Sequence, residues 1–121
     1  MLIAIPVIEN KGEDSIISEH FGHAPYFAFI KVNENKIEEI KIEKNPYEEH
    51  GPGMIPEYIH KNGAKVLIVR GIGARAISFF EQYGIKVIRG ASGSIKEIVT
   101  SFISGHIKDM EYKVKEKFHE H

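Results

Sequence analysis

Two sets of residues in this chain have the types and spacing to do chemistry. The first is imidazole: His20 and His23 stand as His-x-x-His in a polar stretch, and His50 follows in a later turn-rich one. Imidazole nitrogens ligate metals, but a His pair without a third ligand is usually not a metal site. The second set suits an anion. Gly71, Gly73, Gly90 and Gly93 let backbone N–H groups come close to a ligand, Arg75 adds a fixed positive charge, and Ser92 and Ser94 add hydroxyl donors. Each has a plainer role available. Gly71 and Gly73 suit a strand-to-helix turn, Ser94 a helix cap, Arg75 a surface salt bridge, and His23 an exposed loop position. Arg75 in a first helical turn does oppose the helix dipole, which a purely solvated role leaves unexplained. His60 reads as a solvated helix residue, and His119 and His121 as terminal residues able to scavenge metal.

The elements that must position these residues follow from periodicity. Leu2 to Ile8 is an apolar run suited to a strand buried on both faces, with one ladder position lost at Pro6. Asn10 to His20 is a loop. Tyr26 to Val32 and Lys36 to Lys44 are strands about an Asn33-Glu34-Asn35 turn, and the imperfect alternation of Ile37, Ile40 and Ile42 predicts a bulge between the first two. Ile55, Tyr58 and Ile59 mark a helix that Gly63 stops. Val66 to Val69 is a strand, Ala74 to Tyr83 a helix stopped by Gly84, and Lys86 to Arg89 a strand. Ser94 and Glu97 open a third helix as a capping box; Ile95, Ile98, Val99, Phe102 and Ile103 form its apolar stripe, and Gly105 closes it. Residues 106–121 are a charged tail, expected as a frayed helix or disorder.

With right-handed crossovers this order gives an α/β fold: a mixed five-stranded sheet in the order 3-2-1-4-5 with strand 2 antiparallel, and three helices. The strand-1 and strand-4 ends form a topological switch point, where open α/β sheets bind ligands. Four loops meet at that edge: His20 to Ala24, Asn45 to Gly53, Gly71 to Arg75 and Gly90 to Ser94. All three helices start there, so their positive ends favour an anion.

At Ser18-Glu19-His20-Phe21-Gly22-His23-Ala24-Pro25-Tyr26-Phe27, with Asn45-Pro46, His50-Gly51, Gly71-Ile72-Gly73-Ala74-Arg75-Ala76 and Gly90-Ala91-Ser92-Gly93, the chain resembles the dinitrogenase iron-molybdenum cofactor biosynthesis family. The resemblance covers about residues 1–105 as a single domain and is closest to the small stand-alone members. It implies a ribonuclease H-like fold and a carrier, not an enzyme, for an iron-molybdenum-type metal-sulfur cluster or a related oxyanion or thioanion. His20 of the His-Phe-Gly motif is the implied cluster ligand; the loops after strands 1 and 3 can bring His50 and His23 toward the switch point to assist it, and Gly22, Gly71, Gly73, Arg75, Gly90, Ser92, Gly93 and Ser94 complete the expected cofactor-binding set. An acceptor protein is implied as a partner.

Composition bounds the alternatives. The 121 residues are 42% hydrophobic and 27% charged, with a net charge of -1, so one domain without a basic nucleic-acid footprint is expected. No apolar run approaches a membrane span and no basic leader precedes the first strand, so a cytoplasmic location is expected. There is no cysteine, so thiol catalysis and protein-thiolate clusters are excluded, and any metal-sulfur group must arrive preformed. A two-metal nuclease needs clustered carboxylates, which strand 1 and the loops after strands 4 and 5 lack. Two other readings stay open. Gly71 to Ala76 fits a relaxed G-x-G-x-x-A pattern, which with Arg89 would suit a mononucleotide or phosphate-binding regulatory module. A protein-interaction module with a vestigial pocket is the third, favoured by a closed, dry crevice.

Overall fold

The computed structural model describes residues 1–47, 51 and 53–112, and within them the sheet is the expected one. Strands β1 (Leu2–Val7), β2 (Tyr26–Asn33), β3 (Lys36–Lys44), β4 (Val66–Ile68) and β5 (Lys86–Ile88) lie in the order β3-β2-β1-β4-β5. β2 is antiparallel to β1 and β3, whereas β1, β4 and β5 run parallel. The bulge is present: Lys31 pairs with Glu39 but Val32 with Ile37, leaving Glu38 as the extra residue. It reverses the side-chain parity, so that Ile37, Ile40 and Ile42 all pack on one face of the sheet.

Alternation along the buried strands builds two cores. Ile3, Ile5 and Val7 of β1 and Val66 and Ile68 of β4 meet the apolar stripe of α3 (Ile95–Ile103) through Ile95, Ile98 and Val99. Ala4 and Leu67, pointing the other way, meet α1 (Met54–Lys61) and α2 (Ala74–Gln82) through Ile55, Ile59 and Phe80. One face of the sheet therefore carries α3 and the other α1 and α2. Gly63, Gly84 and Gly105 end the three helices with positive φ, as their positions predict.

Two segments differ from expectation. Residues 8–20 are not a free loop: after a 3₁₀ turn at Gly12–Asp14, Ile17 bridges Val7, Ser18 donates to the Pro6 carbonyl at 2.8 Å, and Ile8 donates to Ile16 at 2.9 Å. β4 pairs with β1 only at Ile3 and Ala4, so the residues after β1 fold back at the switch point between the diverging strands. The second difference is the C-terminal segment. Residues 106–112 are neither helical nor frayed but docked: Met110 N–H donates to the Arg89 carbonyl at 3.0 Å, and Asp109 takes a two-pronged contact from the Arg89 guanidinium at 2.9 and 3.1 Å. Charge patterning suggested solvation, but Asp109 is paired with a partner distant in sequence. Residues 113–121 of the expected tail, including His119 and His121, lie outside the described residues.

Candidate functional site

The chain that folds back at the switch point brings the first set of residues into place. His20 bridges Gly71 in parallel register: Gly71 N–H donates to the Glu19 carbonyl and Phe21 N–H to the Gly71 carbonyl, both at 3.1 Å. The loops after β1 and β4 thus become one short extension of the sheet. Phe21 is the anchor. Its ring is buried against Phe27 and Phe80, with centroids 6.0 and 5.5 Å apart, while the Phe21–His23 3₁₀ turn leaves His20 half-buried and His23 exposed beside it. The two imidazoles meet edge to face with centroids 5.8 Å apart. Buried Ser18 holds the turn by donating to the His20 carbonyl at 3.1 Å. The loop after β3 joins through Asn45, whose amide donates to the Ala24 carbonyl at 2.9 Å.

A groove of about 530 Å³ opens over this extension. His20, Gly22, His23, Gly71, Gly73 and Arg75 all line it, so six of the expected site residues are brought together. Gly73 is the N-cap of α2, with open space where a side chain would stand. No side chain caps that helix and its first turn holds no acidic residue, so its N–H groups and dipole face the groove beside the exposed Arg75. The floor is apolar, from Phe21, Ile55, Pro56, Ile72 and Ala76.

The rest of the expected set lies elsewhere. Gly90, Ser92, Gly93 and Ser94 do not line the groove, because that loop is taken up by the protein itself. Ile17 donates to the Gly93 carbonyl at 3.0 Å, Ile95 N–H to Ser15, and the α3 N-terminus is closed by its capping box, Ser94 N–H donating to Glu97 Oε1 at 2.9 Å. Gly90, at φ 85°, is pressed by the C-terminal segment: a Cβ there would stand 2.6 Å from the Met110 carbonyl oxygen. Of the three helices, α3 is therefore closed to the groove, and α2 is the one whose N-cap, Gly73, lines it without a side-chain cap or an acidic residue in its first turn. Arg89, the expected phosphate contact, is committed to Asp109. His50 lies outside the described residues. Among the described residues no three His, Cys, Asp or Glu side chains are grouped to hold a metal ion, so the groove is not fitted to a bare resident ion by those residues.

Sequence reasoning missed Tyr112, which completes the lining from the C-terminal segment. Its hydroxyl donates to Glu19 Oε2 at 2.6 Å, and the Arg70 guanidinium lies 4.1 Å from its ring centre. No local pattern marks it. Ile55 and Pro56 were accessible to reasoning, since a helix that starts at the switch-point edge must present its first turn there.

The model of the family described as dinitrogenase iron-molybdenum cofactor matches residues 1–105. An uncharacterized protein, MJ0580 of Methanocaldococcus jannaschii, is 31% identical over 114 residues, 92% of each chain. The crystal structure of PH0822 is 35% identical with a TM-score of 0.83, covering 91% of this chain and 96% of that one. The apo form of the orange protein from Desulfovibrio gigas, 20% identical with a TM-score of 0.79, covers 94% and 96% and shares the fold. No helix among the described residues is long and apolar enough to cross a membrane.

Proposed function

Because the chain belongs to the dinitrogenase iron-molybdenum cofactor family, we propose that its groove receives a preformed metal-sulfur cluster or a molybdenum thioanion and carries it to an acceptor protein, without catalysis. The observation that carries this reading is the joining of His20 and His23 with the uncapped α2 N-terminus and Arg75 in one groove. Imidazole binds the metal edge of such a cargo, and the helix end and guanidinium meet its negative charge. The absence of cysteine suits cargo whose sulfur arrives with it. A ribonuclease H-like class for the fold and a cytoplasmic location belong to the same reading. His20 is the proposed ligand, with His23 and His50 assisting, and Gly22, Gly71, Gly73 and Arg75 are the cargo contacts. An open groove of this size gives the vestigial-pocket alternative less support.

Titration of tetrathiomolybdate, molybdate and phosphate, with His119 and His121 replaced to remove adventitious binding, tests the reading. A charge-assisted contact contributes about 1.5–3 kcal/mol, so Arg75→Ala should weaken anion binding about tenfold or more. His20→Ala should abolish cluster uptake with little change in melting temperature. A His20→Ala protein that melts far lower yet takes up cargo when folded makes His20 a structural residue. Phosphate bound more tightly than the thioanion would replace the carrier reading with the mononucleotide or phosphate one.

A further inference from the structure

One wall of the groove comes from outside the family domain. The family match ends at residue 105, yet Tyr112 lines the groove together with His20 and Gly71. Its position is set on several sides. The hydroxyl is engaged by Glu19, immediately before His20, and the ring lies under Arg70, which itself donates to the Ala91 carbonyl at 3.2 Å. The approach of the main chain is set by the Arg89–Asp109 pair, by Arg89 N–H donating to Asp109 at 2.8 Å, and by the Met110–Arg89 backbone bond. The loops after β1 and β4 thus hold the side chain of Tyr112, and Arg89 after β5 holds the main chain that leads to it. An aromatic group held this way loses little further freedom when a ligand lies against it, which raises the affinity it can contribute.

Its chemistry selects. The hydroxyl proton is given to Glu19, so what Tyr112 offers a ligand is ring surface and not a hydrogen-bond donor. The α2 N–H groups and Arg75 serve an oxyanion and a thioanion alike, but neither this ring nor the apolar floor adds the donors that would replace a small oxyanion's hydration there. A large, polarizable, weakly hydrated anion loses less on leaving water and gains dispersion contact with the ring. Arg70 on the ring offsets the negative potential of the π system. Resting on the carrier reading above, we infer that Tyr112 is a ligand-contacting wall of the groove that makes this chain prefer thioanions to oxyanions of the same metal.

The test measures dissociation constants for tetrathiomolybdate and molybdate with the full chain, its Tyr112→Ala, Tyr112→Phe and Asp109→Ala variants, and the chain carrying both Tyr112→Ala and Asp109→Ala. Tyr112→Ala should weaken tetrathiomolybdate about tenfold and molybdate little, so the preference collapses. Tyr112→Phe, which keeps the ring, should retain more of the preference than Tyr112→Ala. Asp109 does not line the groove, so a loss of preference in Asp109→Ala that does not add to that of Tyr112→Ala supports a wall held by the clip. Melting temperatures should stay close to that of the unaltered chain, since Tyr112 belongs to neither core. Unchanged tetrathiomolybdate affinity in a folded Tyr112→Ala protein, or equal loss of both anions, overturns this inference alone. An unaltered chain that binds neither anion refutes the carrier reading, and this inference with it.

Discussion

Replacing Gly90 by alanine should reveal how firmly the C-terminal segment is part of the structure. Gly90 has φ 85°, a region where an L-residue costs roughly 1–2 kcal/mol. The added Cβ would also stand 2.6 Å from the Met110 carbonyl oxygen and 3.2 Å from the Met110 Cβ. The first contact is with backbone, so residue 110 must move, and the Met110 N–H bond to Arg89, about 1 kcal/mol, goes with it. The exposed Arg89–Asp109 pair adds only a screened contribution. The total is about 2–3 kcal/mol, of which roughly 1 kcal/mol or more depends on the segment. Urea unfolding followed by far-ultraviolet circular dichroism, with Gly90→Ala made in the full chain and in a chain ending at Gly105, separates the two parts as a double-mutant cycle. The substitution should cost only its backbone part in the shortened chain. Equal costs in both would show that residues 109–112 do not bear on the Gly90 loop, and the docked segment would have to be abandoned.

Ser94→Ala removes the hydroxyl that accepts from Glu97 N–H at 3.2 Å, and should cost about 1 kcal/mol without changing anion affinity, because α3 opens away from the groove; calorimetry and anion titration on one preparation check both halves. Tyr58→Phe breaks the 2.7 Å bond to Glu43 that ties α1 to β3 and should cost about 1–2 kcal/mol in chemical unfolding. That bond holds the Glu43 carboxyl below its ordinary 4.5. A depressed carboxylate contributes stability that is present above its unfolded value and is lost as pH falls through its folded one. The Phe variant should therefore lose less stability than the parent between pH 5 and the acid limit, and parallel stability profiles would count against this account. The Arg89 guanidinium likewise holds Asp109 low, so amides at 109–112 should keep their protection from hydrogen exchange down past 3.8 and lose it only below; Asp109→Asn should remove that dependence.

Short-range physics accounts for what was legible in the residues. Strand and helix periodicity, the Ser94–Glu97 capping box and the helix-stopping glycines act within a few positions, and the odd spacing of Ile37 and Ile40 sufficed to place a bulge. Handedness then carried those elements to the sheet order, and the order to the switch point where His20, Gly71, Gly73 and Arg75 meet.

Which loop at that edge faces outward was decided by tertiary structure. Gly90 to Ser94 carries the same glycines and hydroxyls as a ligand loop, but residues 15–17 take its backbone groups and Glu97 takes the α3 N-terminus. Nothing local distinguishes a glycine that admits a ligand from one that admits another stretch of the same chain. Tyr112 is the clearest case. It stands in a charged segment without periodicity, and its place in the groove rests on a hydrogen bond to Glu19 across 93 positions and on Arg70 against its ring. Such contacts come from packing the folded sheet edge, so they have no signature in the residues on either side of Tyr112.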